Sequence, residues 1–254
     1  MHWRGLGTSK QRGMISSRLI EIKSFQPLSL SALLVGLAAM NVQWHLLDLK
    51  LRGAVLQNLI ATSQSAVGSS AAGMEQFVSN IVYSLGGMGA TAAELSDHEL
   101  SVLFHLIGNT DSFSEHGLSM VIYGLAKMKV VWRQIPLPAQ VALAKNFLSI
   151  SFEGHTGASN MQALSNSLWG LGQMEAVWVD VQGGEDSILF STARTRIHLL
   201  LRAHATAMGD QGLSNSMLGL AKVGIFILQL FCRTTSMTSC FGDFFFATDE
   251  GAVE

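Results

Sequence analysis

The chain has 254 residues, 48% of them apolar and only 13% charged, with a formal net charge of −2. That supplies ample core and argues against general disorder, and three prolines leave room for long helices. Two cysteines, Cys232 and Cys240, and eight scattered histidines without metal-ligand spacing argue against a disulfide framework or a structural zinc site.

Residues 1–23 hold five bases, Arg4, Lys10, Arg12, Arg18 and Lys23, against one acid, Glu21. Basic, serine-bearing and nearly acid-free, residues 1–26 have the composition of an organellar transit segment; a plain basic tail or an arbitrary chain start are the alternatives. The remainder carries 11 of the 16 bases and 17 of the 18 acids, a net of −6, whereas strong nucleic-acid binders usually show a basic surplus. Between Lys23 and Asp48 there is no formal charge, a length sufficient to span a bilayer. Ser24, Gln26, Ser29, Ser31, Asn41 and Gln43 interrupt it, and two equivalent segments further on carry Lys127 and Lys222. The stretch reads as a buried repeat helix, and no membrane association is expected.

Self-comparison then shows an 11-residue motif, ungapped in five copies: 30–40, 78–88, 118–128, 164–174 and 213–223. The fourth copy is Leu164-Ser-Asn-Ser-Leu-Trp-Gly-Leu-Gly-Gln-Met174. Position 2 is serine throughout (Ser31, Ser79, Ser119, Ser165, Ser214), and position 8 is leucine throughout (Leu37, Leu85, Leu125, Leu171, Leu220). Position 7 is glycine except at Ser84, and its successive spacings of 48, 40, 46 and 49 residues suit a helix pair with two turns. Positions 1, 4, 5, 8 and 11 are mostly apolar, the i, i+3, i+4, i+7 pattern of a helix. Positions 2 and 9 are small and flank that stripe. A helical glycine costs about 1 kcal/mol against alanine, a cost explained if helices of adjacent repeats approach closely.

Motif helices are therefore expected near 28–40, 75–88, 114–128, 160–174 and 211–223. Capping-box spacings occur at Ser112/Glu115, Ser159/Gln162 and Ser96/Glu99. Second helices are expected at His45–Ile60, Ser96–Ile107, Leu137–Ile150 and Asp186–Met208, with Pro138 in a first turn. Ala66–Gly73 and Glu153–Ser159 read as inter-repeat loops. After Ile225–Cys232 the pattern is lost, and Phe241–Phe246 fits no helical stripe. The organisation expected is a tail at 1–26, a helical repeat domain at 27–232 and an irregular C-terminal segment at 233–254.

No catalytic constellation appears: there is no Walker loop, no G-x-S-x-G and no dinucleotide fingerprint. Gly86-Gly87-Met88-Gly89 overlaps a motif end and does not read as a phosphate loop. His98 and His105 are two turns apart, too far for an i, i+4 metal pair, and read as partly buried helix residues. Positions 3, 6 and 10 share one helix side beside the apolar stripe. They supply amides at Asn80, Asn166 and Asn215, rings at Tyr83, Tyr123 and Trp169, and Lys127, Gln173 and Lys222. Amides for base edges, rings for stacking and lysines for phosphates are what a single-stranded RNA surface requires. The bland alternative is that the rings pack on the next repeat and the asparagines fix inter-repeat backbone.

Residues 164–174 and 213–223 resemble the L-S-N-x-L-W-[GA]-L-A-K-[ML] segment of octotricopeptide-type repeats and of related helical repeats in organellar proteins that often end in a RAP domain. The likeness runs over all five copies, roughly residues 27–230. It implies an organellar RNA-binding factor in RNA stability, processing or translation, located in a mitochondrion or plastid and otherwise cytoplasmic. No RAP-like segment is seen, so no nuclease-like activity is implied.

The expectation is thus an all-α chain forming an α-solenoid of about five helix-pair repeats. It is expected to be neither an enzyme nor dependent on a cofactor, metal or small-molecule substrate, with single-stranded RNA as partner. The alternative is a protein-interaction scaffold of armadillo or HEAT character, motivated by the acidic balance.

Overall fold

A computed structural model describes residues 26–65, 71–149, 158–176 and 208–222, together with 192, 195, 197, 199 and 200. Among the described residues the chain is all-helical, with no strand. The helices are α1 (Pro27–Ala39), α2 (Leu49–Ser65), α3 (Ala71–Gly87), α4 (Asp97–Gly108), α5 (Glu115–Lys127), α6 (Leu137–Ser149), α7 (Ala158–Gln173) and α8 (Asp210–Lys222). The five motif copies lie on α1, α3, α5, α7 and α8. None of these helices is long and apolar enough to cross a membrane; the uncharged stretch after Lys23 contributes the 13 residues of α1. The expectations for residues 1–25, for the motif-free end beyond Lys222 and for most of Asp186–Met208 lie outside the described residues. Within that last span, 192, 195, 197, 199 and 200 are helical, while Met208 lies in a bend rather than a helix.

Each motif helix packs on the next in chain order, α1 on α3, α3 on α5, α5 on α7 and α7 on α8, while α2 packs on α4 and α4 on α6. One hydrophobic core cluster runs between the two sets, from Leu30 to Leu220. The apolar stripe builds it: Leu37, Leu85, Leu125, Leu171 and Leu220 at position 8 are all buried. Removing such areas from water contributes about 25 cal/mol per Å², and this holds together helices that would be marginal alone.

The structural repeat is longer than the sequence motif. After Met40, Met88, Met128 and Met174, position 12 turns left-handed at Asn41 (φ 54°), Gly89 (76°), Lys129 (58°) and Glu175 (54°). Position 13 is then buried as Val42, Ala90, Val130 or Ala176. Its amide donates back to the position-8 carbonyl, for example Val42 to Leu37 and Ala176 to Leu171, both at 3.0 Å. This is the Schellman closure, with its apolar residue after the left-handed one. Two residues later the amides of Trp44, Ala92 and Trp132 each donate at 2.7 Å to the position-11 carbonyl of the following repeat, on Met88, Met128 and Met174. Among the described residues a main-chain bond between adjacent repeats therefore recurs three times.

Short 3-10 turns at Trp44–Leu46, Ala92–Glu94 and Trp132–Gln134 follow, closed by buried Leu47, Leu95 and Ile135. The second helices start next. Asp48 Oδ1 accepts the Leu51 amide at 2.8 Å. Ser96 and Glu99 form the predicted reciprocal box, with the Ser96 amide donating to Glu99 at 2.7 Å. The helix expected from His45 thus begins at Leu49, because Trp44 is needed in the core and its amide is committed to the next repeat.

Other expected boundaries are also corrected. The cap of α5 is Ser114, not Ser112: Ser114 Oγ accepts the Gly117 amide at 3.1 Å. Its own amide and hydroxyl donate to Glu75 Oε1 of the preceding motif helix, at 2.8 and 2.5 Å. The preceding residue, Phe113, is buried, and its amide donates to Asn146 Oδ1 at 2.6 Å. Ser159 lies inside α7, which begins at Ala158, and Gln162 bonds to Asn166 instead of closing a cap. Residues 71–73, expected in a loop, open α3. Pro138 sits in the first turn of α6 as expected.

Candidate nucleic-acid interface

The face carrying positions 3, 6 and 10 lies on the surface of the row of motif helices. Its position-6 residues begin at exposed Val35, pass through Tyr83, Tyr123 and Trp169, and end at exposed Leu218. Because each helix is offset one repeat from the last, the three rings form a line. Tyr83 and Tyr123 lie 6.0 Å apart between centroids with 33° between planes. Tyr123 and Trp169 are 5.2 Å apart at 36°. Both distances fall in the range of favourable aromatic pairs. Tyr83 is 40% exposed at one end of the line, while Tyr123 and Trp169 are half-buried.

Lys127, at position 10 of α5, is exposed and places its ammonium 5.4 Å from the Tyr123 centroid and 5.7 Å from that of Trp169. That is within cation–π reach of both rings. Lys222 on α8 donates to Gln173 Oε1 at 3.0 Å. Asn166 Oδ1 accepts from Gln162 Nε2 at 2.8 Å. Asn80 and Asn215 are half-buried on α3 and α8. The structure thus brings Tyr83, Tyr123, Lys127, Asn166 and Trp169 together. It pairs Gln173 with Lys222 further along and sets Asn80 and Asn215 towards either end. The rings touch across repeats, as the packing alternative expects of them, while keeping part of their surface in water.

Close approach of the helices makes this line possible. A Cβ at Gly124 would stand 2.5 Å from the Val82 carbonyl oxygen, one at Gly86 would stand 2.6 Å from that of Gly124, and one at Gly219 would meet the Leu168 carbonyl. Position 7 therefore needs glycine where the preceding helix leans on it.

Sequence reasoning missed two residues of this face, His116 and Gln162. Each lies one helical turn before position 3, and the recurrence of Gln76, His116, Gln162 and Gln211 at that offset was the available signal. His98 and His105 are exposed rather than partly buried; His105 Nε2 lies 3.0 Å from Asn109 Nδ2. Among the described residues no three His, Cys, Asp or Glu side chains converge as metal ligands would.

No protein-family model, curated protein or solved structure matches the chain.

Proposed function

We propose that the chain is an α-solenoid of about five helix-pair repeats that binds single-stranded RNA along its motif-helix face. In this reading it acts in organellar RNA processing, stability or translation, in a mitochondrion or plastid, in line with its resemblance to octotricopeptide-type repeats. The observation that carries the reading is the line Tyr83–Tyr123–Trp169 with the Lys127 ammonium over its last two rings. Successive rings provide stacking platforms that tolerate any base, and the lysine answers the phosphate. Amides at Asn80, Asn166 and Asn215 provide the hydrogen bonds that base edges require. The reading needs no cofactor and assigns no catalytic step.

Filter binding of single-stranded RNA by the whole chain at moderate salt tests it. Loss of one stacking ring costs about 1–3 kcal/mol per base, so Tyr123→Ala and Trp169→Ala are expected to weaken binding by roughly five- to 150-fold. Absence of RNA binding, or binding untouched by Trp169→Ala combined with Lys127→Ala and Lys222→Ala, would overturn it. The acid excess beyond residue 23 favours a second reading, a protein-interaction scaffold, which absence of RNA binding would support.

A further inference from the structure

Each junction in the row of motif helices has a direction. Position 7 of one helix lies against position 5 of the helix before it. A Cβ at Gly124 would strike the Val82 carbonyl, one at Gly170 the side chain and carbonyl of Ile122, and one at Gly219 the Leu168 carbonyl. Positions 2 and 9 face the helix after. Ser165 Oγ donates to the Gly212 carbonyl at 2.9 Å, and a Cβ at Gly86 or Gly172 would strike Gly124 or Gly219. By helical spacing, positions 4, 7 and 11 form a receiving side and positions 2, 5 and 9 a presenting side.

The two ends of the described row leave one side each uncovered. On α1 the receiving side is Leu33, Gly36 and Met40, all half-buried, whereas positions 4 and 7 of the other four copies and Met88, Met128 and Met174 at position 11 are buried. A Cβ at Gly36 would meet nothing within 4 Å, so the helix-propensity cost of this glycine is not offset within one chain. The carbonyls of Met88, Met128 and Met174 each accept an amide from the repeat before, and among the described residues that of Met40 accepts no such bond. On α8 the presenting side is Ser214, Met217 and Ala221. Ser214 and Ala221 are exposed and Met217 half-buried, whereas Ser31, Ser79, Ser119 and Ser165 at position 2 are buried.

We infer that the chain associates head to tail, α8 of one copy docking on α1 of the next and continuing the row. The rule that joins neighbouring motif helices within the chain fits these two open sides to each other, and both are free of charged side chains. Because the sides differ, the contact does not close as a symmetric pair and adds copy after copy. One helix against one helix is a small interface, so the association is weak and depends on concentration. It carries the position-6 line from exposed Leu218 of one copy to exposed Val35 of the next, and it holds whether or not that line binds RNA.

Sedimentation equilibrium of the whole chain from roughly 1 μM to 1 mM tests it. The native mass is expected to climb with concentration past twice the 27.3 kDa of one chain. Gly36→Arg blocks the receiving side and Ala221→Arg the presenting side, so each variant alone is expected to keep the mass of one chain. Their equimolar mixture regains one sound junction per pair and is expected to rise towards twice that mass and no further. A native mass that stays at one chain, association unmoved by either variant, or a mixture no heavier than its parts overturns the docking. Thermal midpoints at the lowest concentration are expected not to fall in either variant. A lower midpoint in Gly36→Arg would assign the α1 side to a segment of the same chain, such as residues 1–25, and would equally overturn it.

Discussion

Position 7 of the motif shows how a single residue type is set by its neighbour. Gly124 lies against the backbone of Val82 and Tyr83, whereas a Cβ at Gly36 would meet nothing within 4 Å. The same substitution should therefore have opposite signs. Gly36→Ala is expected to raise stability by up to about 1 kcal/mol through helix propensity alone. Gly124→Ala is expected to lower it by about 1–3 kcal/mol, since the backbone it strikes must move. Ser84 occupies position 7 in the second copy; it is fully buried, and its hydroxyl has no hydrogen-bond partner. Ser84→Ala should stabilise by about 1 kcal/mol by removing an unsatisfied buried group. Urea midpoints of the three variants, followed by circular dichroism, check the pattern. A stabilising Gly124→Ala would refute the close approach.

At the scale of the element, the helix end is as much a part of the repeat as the helix. Among the described residues, the left-handed residue at position 12 is glycine at Gly89 alone; Asn41, Lys129 and Glu175 hold the same conformation with a Cβ. A left-handed L-residue costs about 1–2 kcal/mol, least for asparagine. Lys129→Gly and Glu175→Gly are therefore expected to stabilise by about 1 kcal/mol each, and Gly89→Ala to destabilise by a similar amount. A Cβ at Gly89 would meet only Gln43 Oε1, at an ordinary 3.5 Å, so backbone strain alone is being measured. Thermal midpoints that fall in the lysine and glutamate variants would show that their side chains do something the geometry does not account for. The closure matters because position 15, three residues on, donates to the next repeat: a misplaced end would lose a contact between repeats.

For the molecule as a whole, charge sets the character of the proposed interaction. The body is acidic, and the face described carries Lys127 and Lys222 as its ammonium groups. A single-stranded complex with two phosphate contacts has a salt slope near −1.4, so affinity should fall only roughly sevenfold between 50 and 200 mM salt. Lys127→Ala should reduce the slope by about half. A slope several times steeper, measured by titrating binding against salt, would move the contact to a basic segment such as residues 1–23.

The amino-acid sequence by itself determined the repeated helix, its buried stripe, its small positions and the surface side that carries Asn166, Trp169 and Lys127. These are local properties: 3.6 residues per turn place them on faces whatever the helix packs against. It did not reveal the start of α2 at Leu49, the cap at Ser114 or the turn after position 11, because Trp44, Glu75 and the position-15 amides act on residues 36–44 positions away. Tertiary structure alone decided that three rings from three repeats form one line and which glycine is indispensable. Each of those depends on the offset between stacked helices, and that offset is fixed by backbone contacts between distant segments rather than by the pattern within any one of them.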